Sequence, residues 1–217
     1  MAASQASLAT VLGRHDQAAR YYSDAIELRK QSGDGKHPWA AGDYIGAALN
    51  FTMQGHFDEA EKVLASAPQF EELRGGGVGS GRYADIIPKT LATIKLVRGD
   101  AAAALKLLPP EERDQQAPLG YDDIQLRGEI LCAAGRRAEG LPRLERAIGI
   151  QEQVFYAHEP GLARARAVAG LCALQAGQRS RAESLAAQAR QAFAVQPDVS
   201  PFFKVPLKEL ERKLAIR

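Results

Sequence analysis

The chain has 217 residues, with 28 Lys and Arg against 26 Asp and Glu, for a formal net charge of +2. That balance lacks the basic excess of a nucleic-acid surface. No apolar run approaches membrane-spanning length and no signal-peptide pattern opens the chain, so neither a nucleic-acid nor a membrane partner is expected and the expected location is the cytoplasm.

In chain order, an apolar-periodic segment over residues 1–12 is followed by a helix from about Asp16 to Lys30 and a loop at Ser32-Gly33-Asp34-Gly35. Helices are predicted from about Trp39 to Gln54 and Phe57 to Ala67, then a glycine-rich run from Arg74 to Arg82. A Walker loop needs Gly-Lys-Ser/Thr, whereas Gly81 is followed by Arg82-Tyr83, and the flanks are helical rather than βαβ; the run reads as a flexible connection. Further helices are predicted over Asp85–Arg98 and Ala101–Leu108, stopped by Pro109-Pro110. Others follow over Tyr121–Ala134, Arg137–Gln153, Leu162–Ala176 and Ser180–Ala194. Pro142 falls near a helix start, where a missing N–H is tolerable. After Ser200-Pro201-Phe202-Phe203 turns the chain, a last helix from about Pro206 to Ile216 carries Leu207, Leu210 and Leu214 on one face, as a cap should.

Glycines at 13, 55, 99, 135 and 177 divide these helices into five pairs, about 36–44 residues apart. Five residues after them stand Ala18, Ala60, Ala104, Gly140 and Ala182; seven before stand Ala6, Ala48, Ala92, Gly128 and Gly170. Ala and Gly make up about 27% of the chain, and small residues at all ten positions exceed what that abundance produces by chance. Two antiparallel helices approach closely only where neither carries bulk, so these residues mark the crossing of each pair. Nine after the glycines come Tyr22, Leu64, Leu108, Leu144 and Ala186, mostly large; twelve after come Ala25, Ala67, Glu111, Ala147 and Ala189. A single hairpin cannot bury that face, so neighbours must stack.

Through Gly55-His56-Phe57-Asp58-Glu59-Ala60 and these small residues, the chain resembles the tetratricopeptide family. The period, with His37-Pro38 and His158-Glu159-Pro160 each placing proline 17 residues ahead of a turn glycine, is similar to the long-repeat branch typified by kinesin light chain. The third repeat departs, with Pro88 and Lys95 where large apolar residues are usual and Glu111 where Ala is usual. The resemblance implies an all-α, right-handed superhelix, a single solenoid domain over 1–217. Its hairpins are placed at about 1–32, 38–68, 83–108, 121–154 and 160–196, with a capping helix over 201–216. The short first segment has no preceding cap, which suggests a piece of a longer protein, or an N-terminal face that binds something, a second copy included. Arg outnumbers Lys about two to one and Ala is abundant, which associates with a GC-rich bacterial source; family habit then suggests part of a signalling protein.

Little points to catalysis. His15 and His56 occupy turns, His37 and His158 loop ends, and no pair has ligand spacing on one helix. Asp122-Asp123 and Glu111-Glu112 are adjacent and diverge on a helix. Cys132 and Cys172 lie in different repeats and read as free buried thiols in a reducing compartment. No enzyme activity, metal or cofactor is expected. The nine arginines from Arg136 to Arg190, interspersed with Glu139, Glu145, Glu152 and Glu183, read as a solvated face.

The resemblance implies that partners lie in a groove lined by the first helix of each hairpin. Offsets from the glycines place Ile45, Leu49, Thr52, Lys89, Thr93, Leu96, Gln125, Glu129, Arg164 and Leu171 there. One Lys is no array for gripping a C-terminal carboxylate, and the single asparagine, Asn50, is no amide ladder for peptide backbone. The groove is mixed and fairly apolar, suited to an amphipathic helix from another protein or from the parent chain. The expected role is a protein-interaction scaffold or regulatory domain; the alternative is a module sensing a peptide or small ligand and controlling an attached effector.

Overall fold

The computed structural model describes residues 2–33, 38–67, 86–108 and 120–216. The glycine-rich run, His37, Pro109-Pro110 and Glu111 lie outside the described residues. Among the described residues the chain is all α-helical, with no strand. The helices are α1 (Ala2–Val11), α2 (His15–Gln31), α3 (Pro38–Met53), α4 (Phe57–Ala65), α5 (Ile86–Val97) and α6 (Ala101–Leu107). There follow α7 (Tyr121–Ala133), α8 (Arg137–Val154), α9 (Pro160–Gln175), α10 (Arg179–Ala194) and α11 (Pro201–Leu214).

One turn builds all five hairpins. Gly13, Gly55, Gly99, Gly135 and Gly177 have φ of 70°, 80°, 97°, 82° and 79°, the left-handed region in which a side chain is strained. Each glycine N–H donates to the carbonyl three residues back, and the next N–H to the carbonyl five back: Gly55 to Thr52 and His56 to Phe51, both 3.0 Å. These two bonds close the first helix and satisfy carbonyls its end would leave unpaired. The residue after the glycine then starts the second helix, and its carbonyl accepts from the small residue four further on, as Ala60 N–H donates to His56 at 3.0 Å. The short spacing from glycine to small residue is thus one turn of helix.

The crossing positions are fully covered: Ala6, Ala18, Ala48, Ala60, Ala92, Ala104 and Ala182 have no exposed surface. At the fourth hairpin both partners are glycine. A Cβ on Gly128 would lie 3.1 Å from the Gly140 carbonyl, and one on Gly140 would lie 2.8 Å from the Gly128 carbonyl and 2.5 Å from Cys132 Sγ. Here the backbones themselves touch.

The chain divides into two compact units, Met1–Pro109 and Pro110–Arg217. In the first, Ala6, Ala9, Ala18, Tyr22 and Ala47 form one core cluster, and Ala48, Ala60, Leu64 and Ile94 another. Gly46 leaves room for the Tyr22 ring, which a Cβ there would meet at 2.4 Å. Burial raises the Tyr22 pKa, while a hydrogen bond with Thr10 works against it. The departures of the third repeat are accommodated locally. Pro88 stands in the first turn of α5, where an N–H has no helical partner. Lys95 pairs with Glu61 of α4 at 2.6 Å, and Arg98 with Asp58 at 3.0 Å.

In the second unit the large, fully buried side chains Ile130, Leu144, Leu162, Leu185 and Leu210 come from all five helices, each contributing roughly 1.5–3 kcal/mol of burial. The last helix packs on α9 and α10, its Leu210 reaching the space above Gly170. It starts five residues earlier than its apolar stripe suggests: the Ser200 hydroxyl accepts from Phe202 N–H, and Pro201 takes the first helical position. Pro206 and Pro142 therefore both lie inside continuous helices.

The free-thiol expectation is corrected. Cys132 on α7 and Cys172 on α9 form a disulfide, Cα–Cα 5.6 Å. The two helices are the first of consecutive hairpins, and their side-by-side placement brings together faces that lie 40 residues apart in sequence.

Candidate functional site

In the first unit the expected groove residues lie on α3 and α5. Ile45 packs against the core cluster around Ala48 and Ile94. Leu49, Lys89, Thr93 and Leu96 are half-buried. The Thr52 side chain is 2% exposed, and its hydroxyl donates to the Ala48 carbonyl at 2.7 Å; it faces the packing between helices, not the solvent. Thr93 makes the equivalent bond to Lys89 at 3.0 Å. In both cases the hydroxyl is satisfied by its own helix, so threonine here behaves as a small apolar residue with a methyl to pack. Beside Leu49, Asn50 is fully buried, engaging His15 Nδ1 at 2.8 Å and donating to the His15 carbonyl at 3.1 Å. The one asparagine therefore joins the start of α2 to α3 rather than reading a ligand.

In the second unit three of the four expected residues form a single polar network. Arg164 on α9 donates twice to the Glu129 carboxylate on α7, at 2.7 and 2.9 Å. Gln125 donates to Glu129 at 2.7 Å, and Gln151 of α8 donates to Gln125 at 2.8 Å. The guanidinium stands 5.4 Å from the centre of the Phe202 ring on α11. Glu129 and Gln151 are 7% and 2% exposed. Burial alone lowers the Arg164 pKa, but the charge and hydrogen bonds of Glu129 outweigh it and raise the value. A fully hydrogen-bonded carboxylate held by a bidentate guanidinium fixes geometry between helices. Leu171 is half-buried on the same helix as Arg164. Gln151 and Phe202 escaped the offset reading because they belong to a second helix and to the cap.

The arginines of this unit are largely ion-paired at its surface: Arg136 with Glu139, Arg179 with Glu183, Arg181 with Glu145 and Arg190 with Glu211, at 2.6–3.0 Å. Such exposed pairs contribute roughly 0–1 kcal/mol each. An open depression of about 440 Å³ between α10 and α11 is lined by Glu183, Ala186, Arg190, Glu211, Leu214 and Ala215, with the Arg190–Glu211 pair across it. Among the described residues, no group of three or more His, Cys, Asp or Glu side chains is placed to hold a metal ion.

Residues 1–67 match the tetratricopeptide repeat family model. Over 90% of this chain, the fold is similar to the TPR-like repeats of a kinesin light chain protein of Podosopora anserina. That structure, a point variant, is covered to 94%, with 16% identity and a TM-score of 0.55. Residues 1–67 thus read as tetratricopeptide repeats, and the chain shares the fold of TPR-like repeats. The Podosopora repeats without the substitution give 16% identity, 90% and 95% coverage and a TM-score of 0.54. The TPR protein YrrB, described as having an unusual peptide-binding site, gives 21% identity, 95% and 88% coverage and a TM-score of 0.44. No curated protein sequence matches the chain. The first-helix faces of the chain are thus of two kinds: half-buried residues in the first unit, and in the second a polar network in which the Glu129 carboxylate is held by Arg164 and Gln125.

Proposed function

We propose that the chain is a protein-interaction module without catalysis of its own, which takes a partner segment on the faces of its first helices. The observation that carries this reading is the half-buried row of Leu49, Lys89, Thr93 and Leu96 on α3 and α5. These side chains lie on repeat helices whose small residues are already fully buried against their own second helices. An amphipathic helix laid on such a row buries apolar surface at its i, i+3, i+4 and i+7 positions. In the second unit the partners of Glu129 and Arg164 are each other, which supports a framework role there.

No described helix is long and apolar enough to cross a membrane. We infer a role as the regulatory part of a larger bacterial signalling protein, working in the cytoplasm. In that compartment the Cys132–Cys172 bond forms and breaks with redox conditions rather than persisting.

The test is affinity capture from source lysate with wild type against a Leu49→Arg/Thr93→Arg variant, circular dichroism confirming that the fold is kept. Thr52, being buried, is unsuited as a probe. A charge placed at the centre of a binding face costs at least about 2 kcal/mol, or about 30-fold in affinity. A protein captured by wild type and lost by the folded variant is the expected result. Identical capture by both overturns the assignment of this face.

A further inference from the structure

We propose that the Cys132–Cys172 disulfide is a redox latch on the second unit, holding the first helix of the fifth hairpin against that of the fourth when oxidised and releasing it when reduced.

The two helices it joins, α7 and α9, touch each other sparingly, since α7 packs chiefly on α8, and α9 chiefly on α10 and α11. Two of the described contacts fasten them. One is the Glu129–Arg164 pair; the other, one turn along α7, is the disulfide. Oxidation state changes one fastening and leaves the other in place. Removing the covalent bond therefore loosens a joint that still has its alignment, which is what a reversible device requires.

The hairpin is also shaped around the sulfur. The position five residues after the turn glycine is alanine in four repeats and glycine only at Gly140. A Cβ at Gly140 would come within 2.5 Å of Cys132 Sγ. The missing methyl is the space the sulfur occupies. The first three hairpins use the same turn and the same crossing without any cysteine, so hairpin formation does not depend on the bond.

Access sets the chemistry. Cys132 and Cys172 are 6% and 1% exposed, so a thiolate reaches the sulfurs when α9 moves from α7. Reduction by a small dithiol then proceeds through a mixed disulfide. Two electrons and two protons pass to the cystine, giving two thiols, while the dithiol closes to its own cyclic disulfide. What α9 carries moves with it: Arg164, which holds Glu129 and stacks on Phe202, and Gly170, against which Leu210 of the cap packs.

The experiment uses the whole chain. Thiols are trapped with an alkylating agent under denaturing conditions before and after treatment with dithiothreitol, and amide hydrogen exchange is measured by mass spectrometry on both forms. The expected result is an oxidised form with no alkylated thiol, and a reduced form with unchanged far-ultraviolet circular dichroism. Exchange in α9 and α11 should be faster by up to about 10³-fold in the reduced form, the scale set by losing a cross-link around a loop of about 40 residues. Peptides from α1 to α6 should be unchanged, and reoxidation should restore protection. A Cys172→Ala variant should match the reduced form without dithiothreitol. Three results overturn the proposal: free thiols in protein prepared without reductant, equal protection of α9 and α11 in both forms, or global unfolding of the second unit on reduction, which makes the bond a structural necessity.

Discussion

Gly128 and Gly149 are both interior helix glycines of the second unit, yet opposite responses to alanine are expected. In a helix interior, replacing glycine by alanine gains about 0.5–1 kcal/mol from backbone entropy and propensity. At Gly149 a new Cβ meets nothing within 4 Å, so the full gain should appear. At Gly128 the Cβ would stand 2.9 Å from Leu144 Cγ and 3.1 Å from both the Gly140 carbonyl oxygen and the Leu144 nitrogen. Two of those three atoms are backbone of α8, which yields only if the helix shifts. Overpacking of this kind costs about 1–3 kcal/mol, more than the propensity gain. The two variants should therefore differ by about 2 kcal/mol, or about 4–8 °C in Tm for a chain of this length. Thermal unfolding followed at the helical circular dichroism band, in one buffer and one redox state, measures it. If Gly128→Ala melts at or above Gly149→Ala, the close crossing of α7 and α8 is not a constraint on stability, and the meaning given to the small residues in every repeat fails. Gly140→Ala sharpens the test. Its Cβ meets Cys132 Sγ at 2.5 Å as well as the Gly128 carbonyl at 2.8 Å, so, with all proteins compared in the reduced state, adding Cys132→Ala should recover part, though not all, of its loss.

Three further outcomes are expected. Glu129→Ala leaves Arg164 without its carboxylate and should destabilise by about 3 kcal/mol in urea denaturation, whereas the double change Glu129→Leu/Arg164→Leu should recover most of that loss. Asn50→Ala removes the bonds to both His15 Nδ1 and the His15 carbonyl from a fully buried position, and should cost about 1–3 kcal/mol by the same measurement. Glu209 is held down to about 2 by its hydrogen bond from Arg212 first and by Lys213 as well; because the folded value is depressed, its support of α11 is complete above the ordinary carboxylate value of 4.5 and is lost as pH falls through about 2. A carboxyl NMR titration of Glu209 reads this directly, and a midpoint near 4.5 would refute the pairing.

The helices, the turns and the crossings were legible because each is written in local chemistry. A glycine is needed where φ is positive, and a small residue is needed one helical turn later; both demands fall within a few residues and recur five times. The cap was legible for the same reason, through the spacing of Leu207, Leu210 and Leu214, although that stripe alone points to a start near Pro206. Ser200-Pro201 supplies the hydroxyl acceptor and fixed φ that open the helix.

What offsets from a turn glycine do not carry is the identity of the neighbour that arrives from the next repeat. Thr52 and Leu49 belong to one helix, yet one is sealed and the other half-exposed, because the angular difference of three residues is enough to turn a side chain from the surface into the packing between helices. Glu129 and Arg164 have the residue types of ligand-reading groups. Both lie on first helices, but a carboxylate and a guanidinium on adjacent first helices, 35 residues apart, pair with one another before any partner does. The same lateral adjacency made Cys132 and Cys172 a bonded pair rather than two buried thiols. In a repeat array, periodicity reports what a residue owes its own hairpin; the chemistry left for a partner is only what remains after stacking with the next hairpin has been satisfied. By that criterion the first unit, where Leu49, Thr93 and Leu96 remain half-covered, is the better place to look for a bound segment, and the second is the better place to look for control.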